Sequence, residues 1–226
     1  MDRAILGRRE FLLAGALSVA GCSGSARKAF WRPEEKQRLN GEGALEIVVR
    51  DQSRGGMLRS RARRVSENLE LGDLARRMEQ TMKSAGGVGI AGPQVGLSLR
   101  LALLLLDYKT DRPRTLFVIN PVIVERSDES ALGYEGCLSV PGFGGLVRRS
   151  VWLRVRYRDL AGQRQVAEAE GANAVLWQHE LDHLDGVLFV DHLQGDLLPM
   201  EEVRRRRRLM EQGLSHRSGS SLEGLL

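Results

Sequence analysis

Apolar residues recur at spacings of three and four in the stretch 69–84, and mostly polar residues fill the positions between them. The apolar positions are Leu71, Leu74, Ala75, Met78 and Met82. This spacing predicts an amphipathic helix whose apolar stripe packs on the core. The stretches 99–106 and 116–125 are largely apolar and too short to cross a membrane, so they predict buried strands.

Further along the chain, in the stretch 151–158, apolar and basic residues alternate. The pattern predicts a half-buried antiparallel strand over 151–158 and a partner strand over 164–169. The stretch 171–185 predicts a helix that ends at Gly186, because glycine commonly follows the last helical residue. A charged helix is predicted near 200–212. Together these elements predict an α+β fold in which antiparallel strands pack around one central helix.

The central helix carries His179, Glu180 and His183 in the pattern His-Glu-x-x-His. Residues i and i+4 share a helix face, so both imidazoles can bind one metal ion, with Glu180 beside the water that the ion holds. Zinc peptidases share this pattern, but no further histidine ligand follows in recognisable form, and Glu201 and Glu202 belong to a polar helix. A surface helix rich in His and Asp is the remaining alternative.

Cys137 is one of two cysteines in the chain and lies in the segment Glu-Gly-Cys-Leu-Ser at 135–139. A thiolate is a strong third ligand for a borderline divalent ion. Three protein ligands and a water describe an open, catalytic metal site. A small buried apolar residue is the alternative for a lone cysteine.

Residues 87–94 form a glycine-rich stretch, Gly-Val-Gly-Ile-Ala-Gly-Pro-Gln, between a predicted helix and a predicted strand. A dinucleotide-binding loop needs the reverse order, a strand before it and a helix after it. A plain turn of small residues is the alternative. With the segments at 135–139 and 178–184, this stretch resembles the peptide deformylase family, whose three motifs occur in the same order at similar separations. The resemblance covers about residues 45–195.

This resemblance implies the family's fold and its activity, the removal of the formyl group from N-formyl-methionyl peptides, including nascent chains, with release of formate. It implies one divalent metal ion, Fe(II) above all, with Ni(II), Co(II) or Zn(II) as alternatives. The implied metal ligands are Cys137, His179 and His183.

The resemblance also implies individual catalytic roles. Glu180 would take a proton from the metal-bound water and later pass one to the leaving amine, so that hydroxide attacks the formyl carbon. The side-chain amide of Gln94 and the backbone N–H of Leu138 would stabilise the oxyanion. The implied substrate contacts lie on the glycine-rich stretch, at Gly87, Gly89 and Ile90.

Gly144 stands where the family commonly has an arginine that holds the substrate backbone. This departure leaves the metal chemistry intact and bears on peptide affinity or substrate choice. Two further hypotheses follow: an exported amidase acting on another formylated or short-acyl amine, and a lipid-anchored binding module with reduced activity. The retained metal ligands, Glu180 and Gln94 favour an enzyme.

The stretch 1–22 predicts a targeting segment. Arg8 and Arg9 resemble a twin-arginine signal, the apolar stretch 11–20 is too short to span a bilayer, and the sequence Val-Ala-Gly-Cys ending at Cys22 resembles a lipoprotein cleavage site. We therefore expect an exported protein, anchored on the extracytoplasmic face of a membrane by a lipid on Cys22. A cytoplasmic enzyme with an N-terminal extension is the alternative.

The length of 226 residues fits one domain with extensions, and a hydrophobic content of 42% is enough for a core. We predict a polar linker over 23–43, a catalytic domain over 44–198, and a charged helix with a disordered tail over 199–226. Much of the net charge of +5 lies in flanking arginine clusters. No aromatic residues alternate with these arginines, so we expect no specific nucleic-acid site. We expect a monomer.

Overall fold

The computed structural model describes residues 33–66 and 70–212. In this part of the chain the α-helices are α1 Pro33–Asn40, α2 Gly72–Ser84, α3 Gly171–Asp185 and α4 Met200–Glu211. The strands are β1 Gly89–Ala91, β2 Leu101–Leu106, β3 Arg114–Arg126, β4 Ser130–Cys137, β5 Val140–Ser150, β6 Trp152–Arg158, β7 Arg164–Glu170 and β8 Leu198–Pro199. Short 3-10 helices cover Gly55–Arg59, Gly92–Val95 and Phe189–His192.

Two antiparallel sheets organise the strands. The larger sheet has the order β1-β2-β3-β6-β7, and the smaller has the order β4-β5-β8. β4 and β5 form a hairpin whose register runs from Ser130 opposite Ser150 to Cys137 opposite Val140. Cys137 therefore lies at the tip of the hairpin, where its sulfur comes within 3.3 Å of a histidine of α3.

Two helices, α2 and α3, supply much of the core. The apolar stripe of α2, including Leu74, Met78 and Met82, packs with residues of β2. α3 contributes Trp177 and Leu184, both fully buried, to a second cluster with the larger sheet. Burial of one such side chain contributes roughly 1.5–3 kcal/mol, so this packing holds α3 firmly in place.

β3 is irregular at Asn120 and Pro121. Asn120 has a φ of 52°, in the left-handed region that asparagine tolerates better than most residues. The register of β3 against β6 shifts between Ile119 and Val122, which marks a β-bulge. The Asn120 side chain fixes the bulge, because it accepts from the N–H of Val65 at 2.8 Å and donates to its carbonyl at 2.9 Å.

The predicted α+β fold around a central helix is confirmed, and the strands and longer helices to which the sequence assigned bounds lie within a few residues of those bounds. The sequence assigned no bounds to β4 and β5. The linker predicted over 23–43 is wrong in its described part, since residues 33–40 form α1. Polar composition suggested a linker, but Arg38 donates to the carbonyl of Val95 at 2.8 Å and Glu35 is only 2% exposed. The predicted signal at 1–22 and the tail beyond 212 lie outside the described residues.

No helix in the described part of the chain is long and apolar enough to cross a membrane.

Candidate metal centre

Three side chains from two elements converge at the centre of the molecule. His179 and His183 lie one turn apart on α3, and Cys137 ends β4. One ligand atom from each of the three lies within 4.8 Å of the other two, and Cys137 Sγ is 3.3 Å from His183 Nε2. The predicted ligand set is therefore brought together by the packing of the β4–β5 hairpin against α3.

Glu135 orients the first histidine. Its carboxylate accepts a hydrogen bond from Nδ1 of His179 at 2.8 Å, which leaves Nε2 of that ring free to bind a metal. Arg149 donates to both oxygens of the same carboxylate, at 2.7 and 3.0 Å. Burial alone would raise the pKa of Glu135, but the hydrogen bonds from His179 and Arg149 lower it to about 2. Glu135 is therefore a fixed negative charge behind the histidine.

Cys137 lies in surroundings that favour the thiolate. Burial by itself would raise its pKa, but the charge of His183 and hydrogen bonds with both histidines hold the pKa well below its ordinary value. The sulfur also accepts from Nε2 of Gln94 and from the backbone N–H of Ser139, each at 3.4 Å. A deprotonated sulfur is the form that binds a metal ion.

Glu180 lies beside the three ligands and is only 2% exposed. Burial raises the pKa of its carboxyl group to about 7, so the group can take up and release a proton near neutral pH. Its Oε2 atom is buried and has no hydrogen-bond partner among the described residues. A Cβ at Gly89 would lie 2.1 Å from Oε1 of Glu180, so the glycine makes room for this carboxyl group. Gly89, which the resemblance implies as a substrate contact, therefore also admits the catalytic carboxyl group.

Gln94 and Leu138, the predicted oxyanion donors, both border the cluster. Gln94 lies in a 3-10 helix, and its Oε1 accepts from the N–H of Ala91 at 2.8 Å, which turns its NH₂ group toward Cys137 and Ser139. Leu138 lies in the two-residue turn of the β4–β5 hairpin, and its N–H has no acceptor among the residues that the structure describes. The side-chain NH₂ of Gln94 therefore faces the ligand cluster, and the backbone N–H of Leu138 borders it.

A cavity of about 640 Å³ opens beside the cluster. Gly87 and Gly89 line it, as the sequence predicts, together with Val175 and Leu176 of α3. Ile90 does not line it, and the substrate contact expected at this residue stays a prediction. Successive residues of a strand point to opposite faces, and with Gly89 facing the cavity, Ile90 packs in the core around α2.

The donor set fits one divalent metal ion. One thiolate and two imidazoles suit borderline ions such as Fe(II), Co(II), Ni(II) and Zn(II), and three protein ligands leave a position for water or substrate. A buried polar atom normally has a hydrogen-bond partner, but Oε2 of Glu180 has none among the described residues. A water bound to the metal ion would provide that partner.

An open three-ligand cluster beside a buried carboxylic acid defines the class of mononuclear metal-dependent hydrolases. The family model of polypeptide deformylase matches residues 45–197. This chain belongs to the polypeptide deformylase family. It is 44% identical over 151 residues to a peptide deformylase of Thermosynechococcus vestitus, an alignment that covers 66% of this chain and 79% of the relative. A peptide deformylase of Roseiflexus castenholzii is 43% identical over 139 residues, covering 56% of this chain and 75% of that protein.

Solved structures agree with the fold. The chain superposes on a peptide deformylase from Synechococcus elongatus in complex with actinonin, with a TM-score of 0.63 and 36% identity, covering 76% of this chain and 90% of that one. It also superposes on a class I type b peptide deformylase from Acinetobacter baumannii with Met-Ala-Ser bound. That match has a TM-score of 0.60 and 36% identity, and covers 66% of this chain and 98% of the other.

Sequence reasoning missed the residues behind the ligands. It gave no role to Glu135, Arg149 or Ser139, although all three contact the cluster or its donors. A signal was available for Glu135, because metal-bound histidines usually donate their second N–H to a carboxylate. Arg149 gave no such signal, because an arginine in an alternating strand is ordinarily a solvated surface charge.

Proposed function

We propose that this chain hydrolyses the amide bond between the formyl group and the amino terminus of formyl-methionyl peptides, and releases formate. The observation that carries the proposal is Glu180, a buried carboxyl group next to the three-ligand cluster, with one oxygen left without a partner. Membership of the polypeptide deformylase family supports the same reaction. The relative from Acinetobacter baumannii, solved with Met-Ala-Ser bound, supports a methionyl peptide as the partner.

Different residues of this chain have different roles in the proposed reaction. A bound metal ion supplies Lewis acidity toward the formyl oxygen and toward the attacking water. Glu180 accepts a proton from that water and passes one to the leaving amine. The side-chain NH₂ of Gln94 and the N–H of Leu138 donate to the oxygen on which negative charge develops. Val175 and Leu176 give the cavity an apolar wall against which a methionine side chain packs.

We propose Fe(II) as the ion in the cell. A thiolate with two imidazoles accepts Fe(II) as well as Ni(II), Co(II) and Zn(II), so the donor set by itself does not choose between them. The choice of Fe(II) comes from the family resemblance. Metal analysis of protein purified without oxygen tests it: one iron per chain is expected, and one zinc per chain with full turnover would contradict it.

The reaction is tested by formate release from formyl-Met-Ala-Ser with protein that has been loaded with Fe(II) or Ni(II) under anaerobic conditions. Glu180→Ala should lower kcat by about 10²–10⁴-fold, the usual contribution of a general acid–base group, while the metal content stays at one per chain. Glu129→Ala removes an exposed carboxyl group that does not line the cavity and should leave the rate unchanged. Full activity in Glu180→Ala would show that the proposed mechanism is wrong.

We also propose that the chain is exported and anchored through a lipid on Cys22. The support is sequence order: Arg8 and Arg9, the apolar stretch 11–20, and then the small residues before Cys22. The mature protein should fractionate with membranes and have a mass that reflects cleavage and acylation, and Cys22→Ser should release it. An uncut chain found only in the soluble fraction would contradict export. The expected monomer stays a prediction.

A further inference from the structure

The arginines of α4 divide into two groups. Arg205 and Arg206 both donate to the carboxylate of Glu202, at 2.6 to 2.7 Å. Arg204 and Arg207 instead line the cavity beside the three-ligand cluster, which is also lined by Cys137 and His179. Residues three apart share a helix face, so the spacing of 204 and 207 aims two arginines at one wall. The basic run is therefore part of the substrate site as well as a solvated helix face.

α4 packs close to the smaller sheet because two facing positions of that sheet are glycines. Gly144 of β5 pairs with Gly136 of β4 and with Leu198 of β8, immediately before the helix. Cε of Met200 would lie 2.5 Å from a Cβ at Gly136, which is a clash, and 3.3 Å from a Cβ at Gly144, which is a tight contact. A Cβ at 144 would also lie 2.4 Å from the carbonyl oxygen of Glu135. A side chain at 144 would therefore require the hairpin backbone to shift at Glu135 and would crowd the Met200 and Val203 side chains of α4.

The charges around the cavity leave this wall positive. The Glu135 carboxylate already accepts hydrogen bonds from Arg149 and His179. Arg204 is exposed, and none of the carboxylates that the structure describes lies within ion-pair distance of it. Arg207 donates through Nη2 to the carbonyl of Tyr134 at 2.8 Å, and a guanidinium carries four further N–H groups. A negatively charged group in the cavity would find these donors available.

We propose that Arg204 and Arg207 bind a carboxylate of the substrate that follows the formyl-methionyl residue, and that they replace the cation missing at Gly144. The preferred substrates are short formyl peptides with a free C-terminal carboxylate or an acidic side chain near the cleaved group. Guanidinium and carboxylate groups match in geometry, and their hydrogen bonds are among the stronger ones. This inference rests on the proposed deformylase reaction.

The test compares three substrates at equal metal loading: formyl-Met-Ala-Ser as the free acid, the same peptide as the amide, and formyl-Met-Ala-Asp as the amide. We expect kcat/KM for the free acid to exceed that for the amide by roughly tenfold, mainly through KM, because the contact is the same in ground and transition states. The aspartyl amide separates the two carboxylate sources. A rate near that of the free acid means that a side chain suffices, and a rate near that of the plain amide means that the chain terminus is required.

The variant Arg204→Gln/Arg207→Gln should lose the preference for the acid, with kcat/KM for the acid falling to the value measured for the amide. Arg208→Gln removes a charge from the same run, outside the cavity lining, and should keep the preference. Raising the salt concentration should shrink the preference in the wild type, since exposed charges are screened. Arg204→Lys/Arg207→Lys should restore part of it.

Two negative results are distinguishable. If no peptide releases formate from the metal-loaded protein, the deformylase proposal itself fails. If formate is released equally from acid and amide, or if the double Gln variant keeps the preference, the deformylase reaction stands and the carboxylate site is disproved.

Discussion

Two arginines five positions apart, Arg149 on β5 and Arg154 on β6, each bridge two carboxylates and have opposite surroundings. Arg149 is 7% exposed and joins Glu135 to Asp182 of α3. Arg154 is 40% exposed and joins Glu125 to a second glutamate on the outer face of the larger sheet. In both places an arginine bridges two carboxylates, and the largest difference between the two is the exposure of the side chain.

The difference teaches how burial changes the function of a charge. At the buried arginine, the carboxylate behind His179 can neither turn to water nor change its protonation state easily, so it holds the ring in one orientation. At the exposed arginine, water competes for every hydrogen bond and salt screens the pair. Only the buried bridge can position a metal ligand. Four measurements test this comparison.

Arg149→Met should have the largest effect. It leaves the carboxylate of Glu135 buried with only His179 as a partner, and removal of one member of a buried pair costs about 3 kcal/mol of unfolding free energy. Urea unfolding of the metal-loaded protein measures this cost. A loss below about 1 kcal/mol would place Arg149 in the same category as an exposed arginine and remove the basis of the comparison.

Glu135→Gln keeps the shape of the side chain and removes its charge. The amide still accepts a hydrogen bond from Nδ1 of His179 but no longer stabilises positive charge on the ring, so metal affinity should fall by about 10–100-fold. Competition with a metal chelator measures the affinity. Glu125→Gln on the outer sheet face is the matched control and should leave it unchanged.

Arg154→Met should destabilise the protein by about 1 kcal/mol or less, because both of its carboxylate partners are more than half exposed. The same urea experiment applies. The effect should shrink further in 1 M salt, unlike that of Arg149→Met. Equal losses in the two variants would contradict the role that we give to burial.

Glu202→Gln on α4 should have the smallest effect and one that depends on pH. Hydrogen bonds from Arg205 and Arg206 lower the pKa of Glu202 from 4.5 to about 2. A carboxyl group with a depressed pKa stabilises the folded state above its ordinary pKa, and this contribution disappears as the pH falls through 4.5 toward 2. Thermal unfolding of the wild type and the variant should therefore differ slightly at pH 7 and converge near pH 2.

The sequence predicted the main elements and the chemistry well where the signal was local. Helix 171–185 was predicted with its observed bounds, since its metal-binding pair and Gly186 lie within one stretch. The linker prediction failed over 33–40 because polar composition does not reveal a contact such as that between Arg38 and Val95, 57 positions away. The sequence also indicated no side-chain direction at Ile90, because a three-residue strand is too short to show which face is buried.

By itself, the sequence determined the metal-binding residue types, the acid–base group and the family, because each depends on residues at fixed short spacings. Only the tertiary structure decided what surrounds them. It placed Arg149 against the carboxylate of Glu135 and the Glu180 carboxyl group in the space beside Gly89. It also packed α4 against the glycines of the smaller sheet. These outcomes depend on contacts between residues far apart in the chain, and burial, which sets the strength of every charge involved, exists only after the chain has folded.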